Sequence, residues 1–184
     1  MYHIPADLRA EHSAEKIVNG LEDCLTRFPI QSITVSQLCK ACGIGRATFY
    51  RLFDNLTDVL AYRCDSILDD ASDIIRQQPE LTPREISLFI LKNWMKHPLL
   101  MRALVEGQHI EILYQSHRRH ITLLKERTRQ RIKLNDASLE IQLDHLCLLL
   151  PVSLFVWYRN GATESPEQLY DHFVGSLRLW AKVL

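Results

Sequence analysis

Residues 34–53 read Thr-Val-Ser-Gln-Leu-Cys-Lys-Ala-Cys-Gly-Ile-Gly-Arg-Ala-Thr-Phe-Tyr-Arg-Leu-Phe. Thr34 is placed to cap a short helix, its hydroxyl accepting from the backbone three residues on while Gln37 reaches back to Thr34. Gly43 stands where that helix must stop and turn, a position that favours positive φ. A second short helix then starts near Gly45 and runs to Phe53. Phe49 and Phe53, at i and i+4, share the face that anchors this helix. Arg46, Ala47, Tyr50 and Arg51 are left on the other side. Two short helices joined by a tight glycine turn make a helix-turn-helix arrangement.

The rest of the chain carries the same period. Ile17, Leu21, Leu25 and Phe28 form one apolar stripe, and Leu60, Cys64, Ile67, Ala71, Ile74 and Ile75 a second. Further stripes run through Ile110–Leu124, Leu139–Leu154 and Leu169–Leu184, all at the spacing of one helix face. No convincing alternation of period two appears, so strands are not needed. Pro29, Pro79, Pro83 and Pro98 divide the stripes. Thr82-Pro83 with Glu85, and Ser165-Pro166 with Gln168, read as helix starts. Asn160-Gly161 reads as a stop. The fold expected is all α, with about nine helices. A helix-turn-helix domain would occupy residues 9–56 and a larger helical bundle residues 57–184. Pro151 should kink the helix it interrupts.

Composition sets limits. The chain has 184 residues, with 22 Lys plus Arg balanced by 22 Asp plus Glu. It is long enough to bury a core without staples, and zero net charge offers no global attraction to a polyanion. Position reverses that inference. Between Cys24 and Phe53 lie Arg27, Lys40, Arg46 and Arg51 and no Asp or Glu. Acids such as Asp65, Asp69, Asp70 and Asp73 balance them in the following helix. A basic stretch beside an outward helix is what phosphate neutralisation requires, and the free N–H groups at that helix's start suit a phosphate.

Other classes find little support. Five cysteines, an odd number, argue against a secreted disulfide framework. No leader pattern opens the sequence, and the apolar run Leu146–Tyr158 is short of the roughly 20 residues that cross a bilayer. A soluble, reduced, cytoplasmic protein is expected, with no membrane association. Cys39-x2-Cys42 lacks a second ligand pair, so core packing is the favoured reading. Glu106-x2-His109 lacks the repeat a di-iron bundle needs, and nothing completes a set around His117-x2-His120. No nucleophile elbow, phosphate loop or HExxH motif is present. No enzyme, metal or cofactor is expected.

The stretch from about Ile17 to Leu60 resembles the DNA-binding domain of the TetR family of transcriptional regulators. The matching pieces are the first stripe, Thr34-Val35, Ala41-Cys42-Gly43-Ile44, Thr48-Phe49-Tyr50-Arg51-Leu52-Phe53 and Asp58-Val59-Leu60. The resemblance implies a homodimeric repressor on a pseudo-palindromic double-stranded DNA operator, released by a small-molecule effector. Thr34 and Tyr50 would hold phosphates, and Thr48 could serve either phosphate or base. Arg46 and Ala47 would face base edges, an arginine there being suited to guanine, with Gly45 and Arg51 beside them. The middle helices would enclose the effector, with Trp94, Met101, Tyr114 and His117 as lining residues. The last two helices would pair subunits through Leu150, Leu154, Trp157, Phe173, Leu177 and Trp180. Two departures stand out: Gly45 replaces the family's usual Ser, and Leu56 replaces a common phosphate-binding Lys. They leave a second reading open, a helical sensor or protein-interaction module of the same fold that has lost operator binding. The basic segment from Arg118 to Lys133 reads as a solvated face.

Overall fold

A computed structural model describes residues 2–122, 125–126 and 136–183, with 136–137 and 180–183 described by backbone alone. Leu124, the basic residues 127–133 and the side chain of Trp180 lie outside the described residues. Among the described residues there are nine α-helices, one short 3-10 turn at Ile30–Ser32 and no strand. The helices are α1 Leu8–Leu25, α2 Val35–Cys42, α3 Arg46–Leu52, α4 Leu56–Arg76, α5 Pro83–Met95, α6 Pro98–Glu106, α7 Ile110–Arg119, α8 Asp136–Arg159 and α9 Pro166–Val183. The all-α expectation therefore holds.

Local chemistry explains the boundaries. Asp7 caps α1 by accepting from the N–H groups of Arg9 and Ala10. Thr34 and Gln37 form the reciprocal box that starts α2, and Thr82 and Glu85 do the same for α5. Gly43 ends α2 in the left-handed region at φ 65°, a conformation glycine adopts without a Cβ clash. Helix α8 runs unbroken through Pro151, although proline removes one donor from the ladder. That continuity makes Ser138–Arg159 long and apolar enough to cross a membrane by length and composition. Its Leu139, Leu143, Leu150, Leu154 and Trp157 are instead buried against neighbouring helices.

Helices α1, α2 and α3 pack on one another, and α1 also packs on α4 and α6. The bundle behind them is built from α4 against α5 and α7, α7 and α6 against α8, and α9 against α5 and α8. A single apolar core runs through both parts, from Ile17, Phe49 and Leu60 to Trp94, Met101 and Leu154. The division expected at residues 56 and 57 falls on the first turn of α4. That helix serves both sides: it packs on α1 of the small unit and on α5 and α7 of the bundle, with Leu68, Ala71 and Ile75 turned to a cavity in the bundle. The Arg102 guanidinium of α6 donates to the Leu25 carbonyl at the end of α1, and Gln31 donates to the Glu106 carbonyl at 2.7 Å. These bonds hold the small unit on the large one.

Close approach between α1 and α2 depends on Gly20. A Cβ built there would stand 2.6 Å from Cys42 Cβ and 3.3 Å from Cys42 Cα, inside contact distance. Replacing Gly20 with Ala is expected to cost about 1–3 kcal/mol of stability, measured by urea denaturation. Adding Cys42→Gly should recover part of that loss, whereas Cys42→Ser, which keeps its Cβ, should not.

Candidate functional site

Helix α3 presents one face to the core and one to solvent. Phe49, Leu52 and Phe53 are fully buried, while Gly45, Arg46, Ala47, Tyr50 and Arg51 are exposed and Thr48 is half-buried. The Phe49 and Phe53 rings lie 5.9 Å apart. Phe53 meets Tyr62 of α4 edge-on at 5.7 Å, so an aromatic row fixes how far α3 stands off the core. On the open side, the Arg46 guanidinium lies 5.9 Å from the centre of the Tyr50 ring, within cation–π range. Tyr50 in turn meets Phe49 edge-on at 5.4 Å. The outer arginine thus rests on a ring that is itself braced by the core.

The start of α3 has no side-chain cap, since Gly45 supplies none. Its first N–H groups stay available to an anion. Thr34 is exposed at the start of α2, its hydroxyl accepting from Gln37 N–H at 3.2 Å. Leu56, half-buried, packs against the core at the start of α4. Asn55 caps that helix through Asp58 N–H at 2.9 Å, and Asp58 accepts from Asp54 N–H at 3.0 Å. The Cys39 and Cys42 thiols are free. Burial pushes the Cys39 thiol up from its ordinary pKa, away from the thiolate a redox or metal site needs. Among the described residues no cluster of His, Cys, Asp and Glu has an arrangement that holds a metal ion.

A cavity opens between α4, α5, α7 and α8. Leu68 and Ile75, Ile86 and Ile90, and Leu146 and Leu150 line it, together with His117. Of the four residues expected to line an effector pocket, His117 alone is there. Trp94 and Met101 are fully buried in the core and Tyr114 is half-buried elsewhere on α7. Helical period reports which side of a helix faces inward. Whether a neighbour fills that side is decided by packing. The His117 imidazole stacks on Trp94 with centroids 5.7 Å apart, and its Nδ1 lies 2.7 Å from the Leu113 carbonyl. Burial holds its pKa down to about 4, so the ring is neutral at pH 7. His120 uses Nδ1 on the Ser116 carbonyl at 2.7 Å and Nε2 on Asp69 at 2.9 Å.

The pairing face also differs from expectation. Leu150, Leu154 and Trp157 are buried within the subunit's own core, with Trp157 Nε1 donating to the Glu164 carbonyl at 3.1 Å. The apolar side chains α8 leaves open are Ile141, Leu148, Val152 and Val156, and α9 adds Leu177 and Leu179. Phe173 and Leu177 flank a groove on this face. Helix α8 is apolar all round, so its sequence did not distinguish the inner side from the outer. Arg118 and Arg119 are exposed, as a solvated face requires, and each also holds an acid: Arg119 reaches the buried Asp65 at 2.7 Å and Arg118 meets Asp144 at 3.2 Å.

A helix-turn-helix head mounted on a helix shared with an α-helical bundle is the fold of the TetR-type transcription regulators. No protein-family model and no curated protein matches the sequence, so the likeness is one of three-dimensional structure. The protein Lin0861 from Listeria innocua superimposes with a TM-score of 0.78 at 19% identity, over 97% of this chain and 96% of that one. The TetR family repressor AlkX from Dietzia sp., implicated in n-alkane biodegradation, gives 0.60 at 14% identity over 93% and 96%. The dihydroxyacetone kinase operon activator DhaS gives 0.57 at 15% identity over 93% and 97%. At such identities the shared property is the fold. Two of these neighbours are named for regulation, DhaS as an activator and AlkX as a repressor.

His117 makes stability depend on pH with a definite sign. Below its ordinary pKa of 6.5 the unfolded chain takes up a proton that the folded imidazole refuses until about pH 4. Stability is therefore lost as pH falls through that window. The loss from this residue should reach up to about 3 kcal/mol. Subtracting the urea-denaturation curve of His117→Phe from that of the parent, over pH 7 to 4, should isolate it.

Proposed function

We propose that the chain is a sequence-specific DNA-binding transcription regulator, a homodimeric repressor released when a small molecule enters the cavity between α4, α5, α7 and α8. The observation that carries this reading is the outer face of α3. Arg46, Ala47, Tyr50 and Arg51 stand exposed on a helix anchored by fully buried Phe49 and Phe53, within a stretch from Cys24 to Phe53 that contains no acid. Arg46 and Ala47 at the helix start are suited to base edges in a major groove. Tyr50, Thr34, Thr48 and Arg51 surround them as phosphate contacts, and the bare N–H groups after Gly45 add an anion site. Leu56 contributes packing where a basic residue would have contributed charge. Specificity then leans on Arg46 and on pairing of two heads.

Pairing is supported by the open apolar face of α8 and α9. A two-fold dimer would set two copies of α3 on successive major-groove faces, about 34 Å apart. The cavity supports effector release because α4 both lines it and carries the head. A molecule that favours one position of α4 shifts the separation of the two α3 helices, and operator binding opposes ligand binding by the same factor.

A gel-shift and footprint on DNA flanking the protein's own gene, over a salt series, tests the reading. A protected pseudo-palindrome is expected. Arg46→Ala should weaken binding by about 1–3 kcal/mol and relax preference at one base pair per half-site, while Tyr50→Phe should weaken all sequences alike. No protected site, or unchanged binding by both variants, would replace this reading with a sensor or interaction module of the same fold. Sedimentation should give a mass near twice 21.4 kDa, and Val156→Asp should return it to a single chain.

A further inference from the structure

The cavity wall is apolar except at a few points, and one of them is chemically unsatisfied. His117 is 6% exposed and lines the cavity. The Leu113 carbonyl beside its Nδ1 can only accept, so Nδ1 carries the proton and donates. Nε2 therefore holds a lone pair, and it has no hydrogen-bond partner. Its tie to Leu113 keeps Nδ1 on the side of its own helix and turns Nε2 away from that helix. Stacking on Trp94 fixes the ring plane. His120 offers no comparable acceptor, because both of its ring nitrogens are engaged. A buried acceptor without a donor is costly and rare, and a ligand that supplies the donor recovers that cost.

The other lining residues define the rest of the occupant. Described lining positions include no Asp, Glu, Lys or Arg, and His120 is already engaged with Asp69 and the Ser116 carbonyl, so no free partner there compensates a charged group. The cavity is a narrow slot, with about 50 Å³ open to the centres of water-sized molecules inside an envelope of about 560 Å³ that includes its open mouth. We propose that this slot binds a slim, uncharged, largely apolar molecule bearing one hydroxyl, and that the hydroxyl donates to Nε2 of His117. The proposal deepens the effector reading above and rests on it for its biological consequence.

Two matched pairs test it on the full-length chain: 4-propylphenol against 4-propylanisole, and 1-hexanol against 1-methoxypentane, with hexanoate as the charged comparison. Binding is read by tryptophan fluorescence, since Trp94 stacks on His117. Each hydroxyl compound should bind about tenfold more tightly than its ether, and hexanoate should not bind. In His117→Phe the hydroxyl advantage should vanish, and His117→Gln, which restores an acceptor, should recover part of it. A readout free of any variant is the imidazole nitrogen spectrum of the parent protein, where the Nε2 resonance should move with 4-propylphenol and stay with 4-propylanisole. Equal binding of alcohol and ether, binding of neither, preference for hexanoate, or discrimination that survives His117→Phe each overturns the proposal. The same compounds in the gel-shift separate the two claims. Discrimination at His117 without any change in operator affinity overturns the effector reading and leaves the site chemistry standing. Operator release without such discrimination does the reverse.

Discussion

Asp65 is the group on which the arrangement of the two halves depends. It sits on α4 with 4% of its surface exposed, and a carboxylate so placed is strongly unfavourable unless its oxygens are matched by donors. Arg119 of α7 supplies a fork, donating through Nη2 at 2.7 and 2.8 Å and through Nε at 3.2 Å. The Tyr2 hydroxyl donates at 2.6 Å, and burial together with Asp65 pushes its pKa up. Arg119 and Tyr2 come from segments remote in sequence, so satisfying one buried charge fixes the register of α7 on α4 and draws the first residues of the chain onto the same spot. Sliding α7 by one turn would leave both Asp65 and Arg119 unmatched.

From that point contacts run in both directions. Tyr2 meets Tyr62 edge-on at 5.3 Å, Tyr62 meets Phe53, and Phe53 meets Phe49, which leads to the outer face of α3. On the other side, one turn of α7 separates Arg119 from Ser116 and His117, and His120 joins Asp69 of α4. Helix α4 is therefore clamped to the head by aromatic packing and to the bundle by ion pairs, with the cavity between it and α8. Contiguity alone transmits nothing. A ligand moves α4 only to the extent that it binds two positions of α4 with different affinity.

Much of the head was legible because its signals are local. Thr34 with Gln37, Gly43, and the Phe49–Phe53 pair act within one or two turns, where capping, φ sign and helical period leave little choice. The bundle was legible only as helices. Leu150, Leu154 and Trp157 read as an outer face and are inner; Trp94 and Met101 read as cavity lining and are solid core. In each case the sequence marked an apolar position correctly and did not say which neighbour would cover it. Nothing near Asp65 announced a buried carboxylate held by Arg119 either, since Arg119 lies in a basic run that reads as a solvated surface. Gly20 gave no sign that its missing Cβ makes room for Cys42.

What the sequence by itself determined is the set of helices, their ends, and a basic, aromatic-anchored short helix with its outer face free of acids. These follow from residue type and from spacing of a few positions. Only the tertiary structure decided that α4 belongs to both units, that Asp65 holds α7 and Tyr2, that His117 brings an unpartnered acceptor to a mostly apolar slot, and that Ile141, Leu148, Val152 and Val156 are the side of α8 left open. Those facts depend on pairs of residues 50 or more positions apart in places, such as Tyr2 with Asp65 and Asp65 with Arg119. Burial, and with it the worth of a charge or the orphaning of a lone pair, is a property of the assembled neighbours and not of the residue alone.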